Sequence, residues 1–365
     1  MQTRIFENEV YRGEPAVLIE NGTVRALLCP ARGAKIASLC LRRGDGAEPA
    51  GWTEVLSQID GDRYRIPPEY GREFQGEDGS GFDDMAATID ACEIRVGQGA
   101  QAAPGGTGGK GSPGRSGSSG SSTDTSSTGN STDTSSTGGT IRGTVRLPDH
   151  GEAWSRPWSY RLDGDSVILS IDGKALPYHF MKKIFLSDDT LVVDYSAENR
   201  ASVRIPFQWA AHALFHISPG ARLDVPADMK KIHNVCPSST LPEAGVVYDY
   251  PRPFGPQGID LSRMPPKNGH GAQKYWFTDA ATEGRCSITD PEIGIRSSLL
   301  FDPADLPWLG IWVNEGFWHN GYNLGIEPST CWLDSPAASI EHGRCLFLEA
   351  GEIKEWTLRV KLEAV

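Results

Sequence analysis

A single glutamate follows a run of aromatic residues near the carboxyl end of the chain. The segment Leu306–Cys331 reads LPWLGIWVNEGFWHNGYNLGIEPSTC, and Glu327 stands in it just before a proline. The aromatic residues upstream of it include Trp308, Trp312, Phe317 and Trp318. Apolar walls raise the pKa of a carboxylate toward that of a useful general base, and aromatic faces stack on the apolar faces of sugars. The pattern indicates a sugar pocket with a base, although a surface glutamate after a buried strand would produce the same pattern.

The neighbours of Glu327 predict where it lies in its strand. Pro328 has no backbone donor, and Gly325 frees the backbone. We therefore expect Glu327 at the end of a strand and not within a hydrogen-bonded ladder.

Two histidines are further candidates for chemistry. His212 lies in FQWAAHALFHIS, where a strand would place His212 and His216 on one face. A helix would give the same pair the spacing of many zinc sites, but no HExxH glutamate or third ligand accompanies them, so no metal is predicted. His150 opens HGEAWSRPWSY. A buried core histidine and a turn-capping histidine are the structural alternatives for these two residues.

These motifs resemble those of the aldose 1-epimerase (galactose mutarotase) family. NLGIEPST is similar to the C-terminal signature in which the glutamate is the catalytic base, and the His212 segment is similar to the strand whose histidine protonates the sugar ring oxygen. HGEAWSR resembles the first histidine motif, whose histidine hydrogen-bonds substrate and steadies ring opening. The resemblance implies a cofactor-free enzyme with Glu327 as base, His212 as acid and His150 as a supporting group. The acid–base pair predicts a bell-shaped pH profile.

The resemblance also predicts contacts with the sugar. Several relatives carry an arginine four residues after the first histidine, where Trp154 stands here. Either Arg156 takes over that contact or the pocket binds a different sugar. GSGFDDMAATID (Gly79–Asp90) resembles a motif that borders the pocket in one branch of the family. The substrate-binding aspartate of many relatives has no evident counterpart, and GHGAQKYWF (Gly269–Phe277) lies near the expected block. The predicted contacts are Arg156, Asp84, Trp312, Trp318 and Lys274.

The rest of the chain predicts strands that would position these residues. SVILSID (Ser166–Asp172), TLVVDYSA (Thr190–Ala197) and the segment from Trp356 to Leu362 alternate apolar and polar residues. Val17–Glu20 and Val24–Cys29 flank Asn-Gly, a strong hairpin signal. No long helical periodicity appears. The expected fold is all-β, a large antiparallel β-supersandwich, which is also the fold that the family resemblance implies.

One segment does not belong to a core. Residues 97–140 are rich in Gly, Ser and Thr and contain the tandem repeat STDTSSTGN-STDTSSTGG. Such a stretch buries too little apolar surface to offset its conformational entropy. We predict a disordered insert at 97–140 within one domain formed by 1–96 and 141–365.

Composition limits the classes of partner. The 365 residues carry a formal net charge of −12, which disfavours nucleic acid and anionic membranes and suits a neutral small-molecule sugar. The N-terminus lacks a secretory pattern, and the seven cysteines form no CxxC pair. We expect a cytoplasmic protein, monomeric or homodimeric. A non-catalytic carbohydrate-binding protein and a carbohydrate lyase or hydrolase are the alternative functions, although a hydrolase usually needs two opposed carboxylates.

Overall fold

The computed structural model describes residues 2–43, 51–61, 64, 68–97, 141–267 and 271–365. Within them the strands, in chain order, are β1 (Arg4–Tyr11), β2 (Glu14–Glu20), β3 (Val24–Cys29), β4 (Lys35–Arg42), β5 (Trp52–Glu54), β6 (Phe82–Ala87), β7 (Cys92–Val96), β8 (Gly143–Leu147), β9 (Ser159–Asp163), β10 (Ser166–Asp172), β11 (Tyr178–Ser187), β12 (Thr190–Asn199), β13 (Ile205–Pro206), β14 (Gln208–His216), β15 (Arg222–Asp224), β16 (Lys231–Asn234), β17 (Val247–Asp249), β18 (Gly271–Phe277), β19 (Arg285–Asp290), β20 (Ile295–Phe301), β21 (Trp308–Glu315), β22 (Tyr322–Ser329), β23 (Phe347–Leu348) and β24 (Ile353–Ala364). The helical elements are a 3-10 turn at Phe74–Gly76 and α1 (Pro336–Glu341).

Two large antiparallel sheets make up the fold. The larger has twelve strands in the order β1-β2-β3-β4-β6-β14-β22-β21-β18-β16-β17, with β5 paired to β4. The smaller has eight strands in the order β15-β19-β20-β24-β12-β11-β10-β9. Two further pairs, β13-β23 and β7-β8, complete the described sheets. The predicted all-β antiparallel architecture is confirmed.

The main core lies between the two large sheets. Strand β11 shows why, because its residues alternate between buried and partly exposed positions, and the buried set includes Phe180 and Ile184. These residues join one apolar cluster with Leu324 and Ile326 of β22 in the larger sheet. Residues on the opposite face of the larger sheet are not needed to form this core, so that face can hold a functional site.

Two local predictions have different outcomes. The Asn21-Gly22 hairpin is confirmed, since β2 pairs with β3 and the Asn21 side chain accepts hydrogen bonds from Thr23 and Val24. The expectation that Glu327 ends its strand is wrong, because β22 continues to Ser329 and Glu327 pairs with Gly310 of β21. The effect of Pro328, which has no backbone donor, is local: the described pairing of β22 with β14 skips Glu327 and Pro328 and is present at Ile326 and Ser329.

The predicted insert, 97–140, lies outside the described residues except for Gly97. No helix in the described part of the chain is long and apolar enough to cross a membrane.

Candidate functional site

Glu327 lies in a row of side chains that crosses five strands of the larger sheet. It pairs with Gly310 of β21, which pairs in turn with Trp276 of β18. On its other side the register of β14 and β22, continued between Ala213/Ile326 and Ala210/Ser329, places His212 directly across from Glu327. His212 pairs with Asp83 of β6. Directly opposed residues project from the same face, so these side chains share the face turned away from the main core. We call it the site face.

Lys274 reaches Glu327 from the next row. It pairs with Trp312, and Trp312 pairs with Gly325. Two glycines, Gly310 and Gly325, leave the surface between the rows open. A Cβ atom at Gly310 would lie 3.0 Å from the Trp276 ring, so alanine there would crowd the floor of the site.

Glu327 and Lys274 form a buried ion pair. The Lys274 Nζ atom contacts Oε2 of Glu327 and lies 3.6 Å from Oδ1 of Asp334, and the side chains of Lys274 and Glu327 are 12% and 2% exposed. Burial raises the pKa of Glu327 above its usual value, and the charge of Lys274 opposes that rise. Burial lowers the pKa of Lys274, but Glu327 and Asp334 outweigh it, so the pKa is raised. The lysine is an ammonium group at neutral pH, and its charge favours the carboxylate form of Glu327.

Asp334 is itself held in place. Its Oδ1 atom accepts a 2.9 Å hydrogen bond from the indole of Trp276, and the Lys274 Nζ lies 5.3 Å from the centroid of that ring. The lysine therefore has an aromatic floor and two carboxylates around it.

The two predicted histidines meet on the site face. Their ring centroids are 5.3 Å apart, and His150 stacks on Phe74 with centroids separated by 4.3 Å. Asp149 holds His150, with Oδ1 3.1 Å from Nδ1. His212 is 5% exposed, and its Nδ1 has no hydrogen-bond partner among the described residues. Burial, followed by the charges of His150 and Lys274, lowers the pKa of His212 well below its usual value. Its imidazole is therefore neutral at pH 7.

An aromatic wall encloses the histidines. The ring of Phe74 contacts Trp154 edge-on at 5.0 Å and Trp318 at 5.6 Å, and all three belong to one buried apolar cluster. Trp312 is partly buried and packs against that cluster. The indole of Trp318 donates a 2.6 Å hydrogen bond to the carbonyl of Gln75, which fixes the ring. The wall supplies the flat apolar surfaces that a sugar ring stacks on.

Gly79 leaves the space that the ring of Trp318 occupies. A Cβ atom at Gly79 would lie 1.8 Å from Cη2 of Trp318. We expect Gly79→Ala to displace the ring and lower stability by about 1–3 kcal/mol, as overpacking does. Gly76→Ala is the matched control, because nothing lies within 4 Å of its added Cβ. Equal stability of the two variants in urea unfolding would show that the position of Trp318 does not depend on Gly79.

Two predicted contacts lie elsewhere. Asp84 follows Asp83 and so points to the opposite face, where it is fully buried between the sheets. It pairs there with Lys182 at 2.6 Å and accepts a 2.9 Å hydrogen bond from the Trp209 indole. Arg156 donates to the carbonyl of Asp172 at the end of β10 in the smaller sheet. The structure thus brings together Glu327, His212, His150, Lys274, Trp312 and Trp318, but not Asp84 or Arg156.

Sequence reasoning missed several residues of the site. Phe74 lies in a stretch with no periodic pattern, and no sequence motif marks Asp334. Trp154 was noted only as a departure from the arginine of relatives.

Lys35 donates to the carbonyls of Asp78 and Ser80 and to the Asp83 carboxylate, so its ammonium is fully used within the protein.

Comparison with solved structures defines the fold class. The chain is similar to a galactose mutarotase-like protein from Clostridium acetobutylicum at 14% identity, with a TM-score of 0.62 and 99% of each chain covered. It is also similar to a galactose mutarotase-like protein from Lactobacillus casei ATCC 334 at 17% identity, with a TM-score of 0.59 over 95% of this chain and 100% of the other. A galactose mutarotase related enzyme from Lactobacillus acidophilus matches at 12% identity and a TM-score of 0.59, covering 96% and 97%. The fold is galactose mutarotase-like, as the sequence resemblance predicted.

The match found from sequence covers a smaller part of the chain than the structural matches do. Residues 265–362 match the family model of a domain of unknown function, DUF4432. That segment contains Lys274, Glu327 and Asp334 but neither histidine of the site. No curated protein matches the chain.

Proposed function

We propose that this protein is an aldose 1-epimerase, which interconverts the α and β anomers of a free aldose. The observation that carries the proposal is the buried carboxylate of Glu327, which lies against the ammonium of Lys274 and across from His212 on an aromatic-walled face. A base and nitrogen donors on one side of an apolar surface suit a sugar ring stacked flat on that surface.

The reaction needs one proton acceptor and one proton donor. Glu327 takes the proton from the anomeric hydroxyl, the C1–O5 bond breaks, and the ring oxygen receives a proton. The C1–C2 bond rotates, and the ring oxygen attacks the other face of the aldehyde while both protons return. A positioned acid or base each contributes about 10²–10⁴-fold in rate. The donor is His212 or Lys274, the two nitrogen groups beside Glu327.

Other residues hold the sugar in this proposal. Trp312 and Trp318 provide stacking surfaces, and His150, fixed by Asp149 and Phe74, hydrogen-bonds a hydroxyl group. Glu327 needs no metal ion or cofactor to act as a base in this scheme.

Mutarotation of a panel of aldoses tests the proposal. Pure α anomers of common aldoses and their 6-phosphates are dissolved with and without protein, and the approach of optical rotation to equilibrium is followed. We expect a protein-dependent acceleration for at least one sugar and none for its methyl glycoside, which cannot open. Sugar binding without acceleration for any member of the panel would instead favour a carbohydrate-binding protein of the same fold.

The dependence of the catalysed rate on pH in the acid range follows from the protonation of Glu327. Only the carboxylate form accepts a proton, and this form is lost as pH falls through the pKa of Glu327, which burial raises above the usual 4.5. We therefore expect the catalysed rate, after subtraction of the uncatalysed rate, to decline at a pH higher than a free glutamate would require. Circular dichroism at each pH separates this loss from unfolding. A rate that stays constant to below pH 4.5 in folded protein would contradict the role of Glu327 as base.

A further inference from the structure

We propose that Lys274, and not His212, gives the proton to the ring oxygen, so that Glu327 and Lys274 act as one acid–base pair. This inference rests on the proposed function and assigns the donor that the reaction requires.

The first argument is the position of the two groups. The accepting and donating oxygens of the sugar, O1 and O5, are bonded to the same carbon, so base and acid must lie side by side. Lys274 Nζ is in direct contact with the Glu327 carboxylate. An O1–C1–O5 unit that enters between them meets an acceptor on one side and an N–H donor on the other.

The second argument is that the surroundings orient Lys274. Asp334, 3.6 Å away, gives the ammonium a second acceptor, and the Trp276 ring below it limits its movement. On the intervening strand β21, the residue paired with Glu327 is Gly310, which places no side chain between the lysine and the carboxylate. The ammonium can therefore move from Glu327 to a substrate oxygen without losing its other carboxylate.

The third argument concerns His212. To give a proton at neutral pH its ring must be an imidazolium, and a carboxylate at Nδ1 is the usual means of stabilising that cation. His150 has such a partner in Asp149, and His216 has one in Asp290. The Nδ1 of His212 has none in the described chain, and the ring is surrounded by Phe74 and His150. Its neutral ring fits a hydrogen-bonding role.

The charged groups that act on Lys274 come from three places. Glu327 lies on β22, Asp334 follows that strand, and Asp90 lies in the loop after β6. All three are acids. Glu327 and Asp334 raise the pKa of Lys274 most, while burial and the charge of Asp334 raise the pKa of Asp90 itself to about 7.

The step balances without an outside proton donor. Glu327 takes the O1 proton as the C1=O1 double bond forms, the electron pair of the C1–O5 bond goes to O5, and Lys274 gives O5 a proton. The charged pair becomes a neutral acid and a neutral amine. On reclosure, Lys274 regains its proton from O5 and Glu327 returns its proton to O1.

Three variants of Lys274, one of His212 and a control test the assignment in the full-length protein with the sugar that wild type turns over. Lys274→Ala and Lys274→Met are expected to lower kcat by about 10²–10⁴-fold with only a few-fold change in KM. Lys274→Arg keeps the positive charge but cannot be deprotonated, so it is expected to lower kcat similarly. His212→Asn should retain more activity than any of them. Lys231→Ala, at an exposed position on the neighbouring strand β16, is the control.

Chemical rescue separates proton donation from charge. Ethylammonium added to Lys274→Ala is expected to restore at least a tenth of the lost rate, whereas tetramethylammonium, which has no N–H group, is expected to restore none. A Lys274→Met variant that folds and keeps wild-type kcat would overturn the assignment, as would equal rescue by both ions. If wild type accelerates no sugar, the proposed function fails together with this inference; if wild type is active and the lysine variants are too, the inference alone fails.

Discussion

Glu327→Gln is expected to lower the catalysed rate of anomer exchange by about 10²–10⁴-fold while sugar binding stays within a few-fold of wild type. Glutamine has nearly the same shape as glutamate but accepts no proton at neutral pH. Glu327 is 1% exposed, so water reaches it poorly and is a weak substitute for the missing base. The rate is measured by NMR exchange between anomeric protons, and binding by line broadening of the sugar.

A matched variant controls for loss of a carboxylate from the same sheet. Glu54→Gln removes a largely buried carboxylate that accepts hydrogen bonds from the backbone of Leu39 and Leu56. We expect it to alter stability and leave kcat unchanged. Near wild-type exchange in Glu327→Gln would remove this residue from the mechanism.

Lys182→Met is expected to lower the free energy of unfolding by about 3–5 kcal/mol. Lys182 and Asp84 are each 1% exposed and join the two large sheets through the core, so methionine leaves the aspartate buried without its counter-charge. The Trp209 hydrogen bond to Asp84 remains but does not replace a full positive charge. Urea unfolding monitored by tryptophan fluorescence gives the free-energy difference.

The adjacent lysine is the control for that variant. Lys183 pairs with Asp163 at 3.1 Å, but the two side chains are 39% and 47% exposed, so Lys183→Met is expected to cost less than about 1 kcal/mol. Adding Asp84→Asn to Lys182→Met should recover part of the loss, because asparagine removes the buried charge and keeps an acceptor for Trp209. Equal stability of Lys182→Met and Lys183→Met would contradict the role of the buried pair.

A lysine donor predicts a pH profile different from the bell shape that the acid–base pair drawn from sequence implies. A bell shape near neutrality requires an imidazolium donor, but burial and the charges of His150 and Lys274 lower the pKa of His212 well below 6.5. Lys274 has a pKa raised above 10.5, so a lysine donor keeps the rate level from neutral pH into the alkaline range.

Sequence alone located strands more successfully than it identified the side of the sheet on which each residue lies. Alternation identified β10, and the Asn-Gly step identified the hairpin of β2 and β3, because both signals are local. Two adjacent aspartates give no indication of which one lies on the site face. Register with β14 places Asp83 there and Asp84, the residue chosen from sequence, in the core.

The Glu327–Lys274 contact depends on nonlocal order. Their strands are separated by β21, and Gly310, the β21 residue paired with Glu327, carries no side chain between them. Lys274 was predicted as a sugar contact from its place in the chain, but a partnership with Glu327 requires the strand order, which no local pattern contains.

The central claim is that this chain catalyses anomer exchange through Glu327. Its most direct test is selective inversion of the α-anomeric proton of an aldose at equilibrium, with transfer to the β-anomeric proton followed in the presence of wild type and of Glu327→Gln. We predict rapid transfer with wild type and only the background rate with the variant. Background transfer with both proteins, for every aldose in the panel, would contradict the claim.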